Sequence, residues 1–261
     1  MEWVAFLVSF GASTIGAICG VGGGIVIKPV MDALGALSVA QVNFLAGCTV
    51  LAMTAYSVVR ALAEKTMEGD LGRDVPLGVG ATIGGMAGKA LLGALATAVG
   101  RPELVGAVQA AVLAVVTLGT LLYTVFKNRI TGYCVQGTVP CALIGLGLGV
   151  CSSFLGIGGG PINLVALYFF FSLDTKPAAT SSLFIILLSQ SAATLCTLAS
   201  GAPDVPALVL VLMVAGGVIG GMVGRRVNRG LGGATVDKLF IGLMAVIIAI
   251  CLGNLAKFAW L

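Results

Sequence analysis

The chain has 261 residues, of which 59% are apolar, 9% are charged, 39 are glycine and none is histidine, with a formal net charge of +4. A soluble domain carries about 25% charge, so this chain lacks the polar surface to cover itself, and its apolar content excludes disorder. Glycine without a Gly-X-Y period excludes collagen, and seven dispersed cysteines do not make a secreted disulfide framework.

The chain opens on Met1-Glu2-Trp3 without a basic run, so a cleaved signal peptide is not expected. Charge is then absent from Trp3 to Ile27, Ala33 to Val59, Leu104 to Phe126, Ile130 to Leu173 and Pro177 to Pro203, and again from Val205 to Gly224 and Leu239 to Ala256. Val75 to Val99 is broken only by Lys89. A spanning helix needs about 20 residues, because the hydrocarbon core is ~30 Å thick and a helix rises ~1.5 Å per residue. Eight hydrophobic segments result. Only helices satisfy their own backbone in lipid at this segment length, so the expected fold is an all-α polytopic membrane protein.

The first segment ends in Gly20-Val21-Gly22-Gly23-Gly24, with Lys28 one turn later. Consecutive glycines dismantle a helix. Lys28 either balances an anion or snorkels to the interface. The second segment places Asn43, Gly47, Thr54 and Ser57 on one face. The joint from Arg60 to Asp74 is mixed in sign, with Lys65 and Glu68 inside it. Gly80, Gly84 and Gly88 then recur at every fourth residue, a packing seam that lets membrane helices approach closely. Lys89, just beyond that row, is expected to mark a helix end at the membrane surface.

The uncharged run Ile130 to Leu173 is too long for one span, since as a single helix it would measure ~66 Å. It must turn inside the membrane at Gly156-Ile157-Gly158-Gly159-Gly160-Pro161, and irregular backbone at that depth is tolerated only inside protein or beside a watery cavity. The next segment carries Ser181, Ser182, Ser189 and Gln190. These residues, like Asn43, can bond a substrate's oxygens or a neighbouring helix. A second seam follows at Gly216, Gly220 and Gly224. Arg225, Arg226 and Arg229 then form a joint expected on the cytoplasmic side.

The two glycine runs and the two glycine rows are related by one and the same offset along the chain: Gly20 matches Gly156, Gly80 matches Gly216 and Lys89 matches Arg225. Two multi-residue matches in one register point to duplication: residues 1–130 form a first repeat and 131–261 a second, together one transport domain. Re-entrant turns at the glycine runs would invert one repeat relative to the other, an arrangement common in transporters. Freed N–H groups at each break, with the positive end of the helix that restarts there, make an anion site; the same turn without a ligand is the alternative. The candidate substrate-binding residues are therefore Gly22, Gly23, Gly24, Lys28, Asn43, Gly158, Gly159, Gly160, Ser181, Ser182 and Gln190.

Gly20-Val21-Gly22-Gly23-Gly24-Ile25-Val26-Ile27-Lys28-Pro29-Val30-Met31 resembles the G-x-G-G-G-x-x-x-x-P-x-L motif of the sulfite exporter TauE/SafE family of permeases, with Met31 in place of leucine. The second copy, Gly156 to Leu167, keeps the glycines and the final leucine, but its proline is Pro161 and Val165 stands where the family often has proline. Lys176 to Phe184 resembles the family's opening of the next helix. The resemblance covers both halves. It implies export of a small sulfur oxoanion or organosulfonate across the cell membrane, in a multi-pass protein and a possible homodimer.

No enzyme is expected: histidine is absent, and the ten acidic residues sit mainly at joints. No cofactor, metal or nucleic-acid partner is expected either, because the cysteines lack Cys-x-x-Cys spacing and the basic residues are dispersed. A channel or a scaffold subunit is the alternative function. Proton coupling through Asp32, Asp174 or Asp237 stays open. An anion leaving a negative-inside cell also gains ~2.3 kcal/mol per charge at 100 mV.

Overall fold

The computed structural model describes residues 2–64, 70–100, 102–127, 130, 132–155 and 159–259. Lys65 and Glu68 of the mixed joint, and Gly156, Ile157 and Gly158 of the second glycine run, lie outside the described residues. The described residues form ten helices and no strand: α1 Glu2–Cys19, α2 Gly24–Leu34, α3 Val39–Ala63, α4 Leu71–Val99, α5 Pro102–Phe126, α6 Thr138–Leu155, α7 Gly160–Phe171, α8 Thr175–Ala199, α9 Ala207–Gly230 and α10 Gly233–Ala259. Eight of them are long and apolar enough to cross a membrane. The other two, α2 and α7, are half-length pieces that restart at the glycine runs, which is why ten described helices stand where eight hydrophobic segments were expected.

Helix ends follow local chemistry. Ser38 and Gln41 form a reciprocal capping box at the start of α3, and the Asp70 carboxylate accepts from Gly72 N–H at the start of α4. Gly35 and Gly100 close α2 and α4 in left-handed conformations that glycine adopts without a Cβ clash. Ahead of α6, the Tyr133 and Val135 N–H groups donate to the Phe169 and Phe170 carbonyls at the end of α7.

The glycine rows set the packing. A Cβ at Gly216, Gly220 or Gly224 would strike the backbone of Phe6, Phe10 or Thr14 in turn, so α9 lies tight and parallel against α1. Gly80, Gly84 and Gly88 meet Ala142, Leu146 and Val150 in the same way, so α4 lies parallel against α6. The two sets of partners are themselves related by the offset that takes Gly20 to Gly156: Phe6 matches Ala142, Phe10 matches Leu146 and Thr14 matches Val150. Close backbone approach of this kind is the main source of helix affinity in lipid, where burial of apolar surface gives no driving force between helices.

Cross-links fix which helix ends share a face of the bundle. Gln41 near the start of α3 donates to the Asp204 carbonyl ahead of α9, while Arg225 near the end of α9 donates to the Ser57 carbonyl near the end of α3. Ser181 near the start of α8 donates to Asp74 near the start of α4, and Lys89 donates to Thr197 farther along both helices. Helices α1, α3 and α9 therefore run one way and α4, α6 and α8 the other. α2 turns back along α1, with Gly23 packed on Ser13, so the α1–α2 pair enters and returns at one end of the bundle.

Candidate functional site

The glycine runs meet in the middle of the molecule. Val21 N–H closes the first turn on the Gly16 carbonyl at 3.0 Å, and Gly20 and Gly22 hold φ of 76° and 68°, a region that side chains resist. A Cβ on Gly160 would sit 2.9 Å from the Val21 carbonyl oxygen, so the two breaks touch. Gly22 faces Val50 of α3 and Ile186 of α8, two residues matched by the repeat register, and Gly159 also faces Ile186. Gly23 packs on Ser13, and Gly24 is the buried first residue of α2. Gly158 lies outside the described residues.

Lys28 does not snorkel. Its side chain is buried inside the bundle, where Nζ donates to Asn43 Oδ1 at 2.8 Å and Gln109 Oε1 at 3.0 Å and pairs with the Asp32 carboxylate at 3.5 Å. The reason is geometric: α2 runs back beside α1 and under α3 and α5, so one turn beyond the glycines is interior rather than interface. The ammonium is balanced within the protein, and the ion pair is also hydrogen-bonded, as burial of charge requires.

Lys89, in contrast, faces open space. It lies well inside α4, not at a helix end as its position beside the glycine row had implied, because α4 continues to Val99. Lys89 Nζ donates to Thr197 Oγ1 at 2.7 Å and lines a chamber of about 860 Å³, with Asn43, Cys196, Thr197 and Ser200 among its walls. A water-sized recess of about 20 Å³ adjoins it, where Lys89 and Asn43 meet Ser152, Ser153, Gln190 and Ala193. Lys89 is the one charged side chain among the described residues of both walls. Two amides and several hydroxyls surround it. The ammonium and the amides offer N–H donors around a single positive charge, which is how proteins hold an oxoanion, while the Ser152 and Thr197 hydroxyls already donate to the Leu148 and Ala193 carbonyls.

Of the residues anticipated from sequence, Asn43 and Gln190 come together at this recess. Ser181 goes elsewhere: it accepts from Arg73 and donates to the fully buried Asp74 near the opposite end of the bundle. Ser182 is buried, with its hydroxyl unpartnered among the described residues. None of the described glycines of the two runs lines the Lys89 chamber or its recess. Lys89, Ser152 and Ser153 were missed, although a signal existed for each. Lys89 is the single charge within a hydrophobic segment, and the serines stand just ahead of the second glycine run.

No cluster of three or more metal-ligating side chains occurs among the described residues. No curated protein and no solved structure matches the chain. The profile of the sulfite exporter TauE/SafE family matches residues 5–250, from α1 to deep within α10 and across both glycine runs. With eight apolar helices long enough to cross a bilayer and a match over nearly its whole length, the chain belongs to the sulfite exporter TauE/SafE family of membrane permeases.

Proposed function

We propose that this permease exports a small sulfur oxoanion or organosulfonate by alternating access between two inverted repeats, residues 1–130 and 131–261. The Lys89 chamber, with the small recess at its side, would bind the anion. The observation that carries the reading is the wall around Lys89, where one ammonium, two amides and the Ser153 hydroxyl surround a space free of carboxylates among the described residues. Sulfite and sulfonates present three oxygens to such donors, and Asn43 and Gln190 are the direct contacts.

Three features support the mechanism. Helices α1, α3 and α4 match α6, α8 and α9 in the repeat register and run in the opposite sense. The glycine breaks meet one turn below the recess, since Ile186, which packs on Gly22 and Gly159, precedes Gln190 by one turn of α8. The positive ends of α2 and α7, with Gly22 to Gly24, Gly159 and Gly160, then stand along the path of an anion moving inward from Lys89. Ser182 offers a further hydroxyl in α8, Ser181 lies toward the opposite end, and Lys28 holds the first break in place.

Arg60, Arg73, Lys127, Lys176, Arg225, Arg226, Arg229 and Lys238 all belong to the end of the bundle opposite Lys89. Excess Lys and Arg mark the cytoplasmic face. The Lys89 chamber accordingly opens outward in the cell membrane. The test is counterflow of labelled sulfite, alkylsulfonate, sulfate and chloride in proteoliposomes. Lys89→Gln is expected to lower sulfite flux at least tenfold, the scale of one charge-assisted contact, and Lys89→Arg to retain most of it. Full sulfite flux in Lys89→Gln would refute the site.

A further inference from the structure

We infer that a chamber at Arg225, at the end of the bundle opposite Lys89, is a second anion-binding site, and that the Glu64 carboxylate occupies its arginines until a sulfur oxoanion displaces it. This inference rests on the permease reading above.

The chamber measures about 340 Å³, and Lys176, Arg225 and Arg229 line it together with the polar side chains of Ser57, Thr180 and Asn228. It is built, like the Lys89 chamber and its recess, from residues of both halves of the chain, and its positions match theirs with the halves exchanged. In the repeat register Arg225 matches Lys89, Ala17 matches Ser153, and Ala179 matches Asn43. Two cavities built from matched positions, each with a cation at the matched helix turn, are what a duplicated carrier needs to meet one substrate at both faces.

The second chamber is set apart by Glu64. This residue caps α3, and its carboxylate accepts from Arg225 Nη2 at 2.9 Å and pairs with Arg229 and Arg60. Arg225 also donates through Nη1 to the Ser57 carbonyl at 2.9 Å, so the guanidinium is clamped between the last turns of α3 and the chamber. A carboxylate and a sulfite group both present delocalised oxygens to a guanidinium fork, so Glu64 is an intramolecular mimic of the substrate. The matching position in the other half is Ser200, a neutral wall residue of the Lys89 chamber. One chamber therefore carries its own competing anion and the other does not. Displacement of Glu64 unfastens the end of α3 from the end of α9 and couples anion binding to helix movement.

The full chain is reconstituted in one orientation, and initial rates of labelled sulfite movement are measured from each face against sulfite concentration. Glu64→Gln is expected to lower the half-saturating concentration at the Arg225 face about tenfold, the weight of one charge-assisted contact, and to leave the Lys89 face unchanged. Arg225→Gln is expected to raise it at the Arg225 face. An unchanged half-saturation at that face in Glu64→Gln overturns the inference. A second measurement needs no transport: calorimetric binding of sulfite to detergent-purified Lys89→Gln and Lys89→Gln/Glu64→Gln, with chloride as control. Tighter sulfite binding in the double variant supports the second site, and equal or weaker binding overturns it. Absent sulfite flux from both faces of the unaltered protein would refute the permease reading, while the binding comparison would still decide the Arg225 site.

Discussion

Lys28 Nζ lies 3.0 Å from Gln109 Oε1, and Gln109 in turn donates through Nε2 to the Phe154 carbonyl at 2.7 Å, so one glutamine of α5 ties the half-helix after the first glycine run to the end of α6. Phe154 matches Ile18 in the repeat register, and the Ile18 carbonyl accepts from the Asn228 amide. Both α1 and α6 stop just short of a glycine run and leave orphan carbonyls where lipid offers no hydrogen bond. Each receives a side-chain amide. The donors come from non-matching positions, α5 in one case and α9 in the other, so the need was met twice by different residues.

The Lys28–Asp32 pair gives the first prediction. Removing one partner of a buried ion pair costs about 3–5 kcal/mol, while replacing both by apolar side chains is close to neutral. Lys28→Met is expected to destabilise the protein strongly, and Lys28→Met/Asp32→Leu much less, in a double-mutant cycle of thermal unfolding in detergent. A double-variant loss equal to the sum of the Lys28→Met and Asp32→Leu losses would show that the two charges act independently.

The glycine rows and the isolated glycines of α4 should separate cleanly. A Cβ at Gly84 would enter the Leu146 backbone, whereas one at Gly93 meets nothing within 4 Å. Gly84→Ala is expected to lower stability by roughly 1–3 kcal/mol, the range for overpacking. Gly93→Ala is expected to raise it by up to about 1 kcal/mol through helix propensity. The check is unfolding temperature in detergent, side by side.

Two left-handed glycines divide strain from crowding. Gly100 holds φ of 63° in open space, and Gly20 holds φ of 76° against the Ala179 backbone. Gly100→Ala carries only the conformational penalty, about 1–2 kcal/mol. Gly20→Ala adds a backbone collision at the break and is expected to lower both stability and flux. Flux retained in Gly20→Ala would show that the contact with α8 is dispensable to transport.

Asn43 and Gln190 are the proposed substrate contacts, and their truncation is measurable as affinity. Asn43→Ala and Gln190→Ala are each expected to raise the half-saturating sulfite concentration severalfold, in keeping with about 0.5–1.5 kcal/mol per hydrogen bond. Asn43 also holds Lys28, so thermal unfolding is recorded in parallel. A loss of stability with unchanged half-saturation would place Asn43 in the scaffold alone.

Much of the architecture was legible because lipid leaves few choices. Charge-free runs of about 20 residues can only be helices there, and consecutive glycines can only interrupt them. Both glycine rows proved to be seams, as every-fourth spacing on one face requires. Neither Lys28 nor Lys89 stands at a helix end on the membrane surface, for one reason: linear position does not tell how deep a helix sits. Lys28 follows a break that turns the chain inward, while Lys89 belongs to a helix that continues past it to reach the membrane face.

From the sequence alone came the membrane class, the helical content, the two breaks, the register that pairs Gly20 with Gly156 and the resemblance to sulfite exporters, all carried by composition and local chemistry. Tertiary structure decided which polar groups meet. It brought Asn43 from α3, Lys89 from α4, Ser152 and Ser153 from α6 and Gln190 from α8 to one recess. It sent Ser181 to Asp74 near the opposite end. A sequence orders residues along one axis, and an anion site needs donors converging from several helices, so only the packing of those helices composes it.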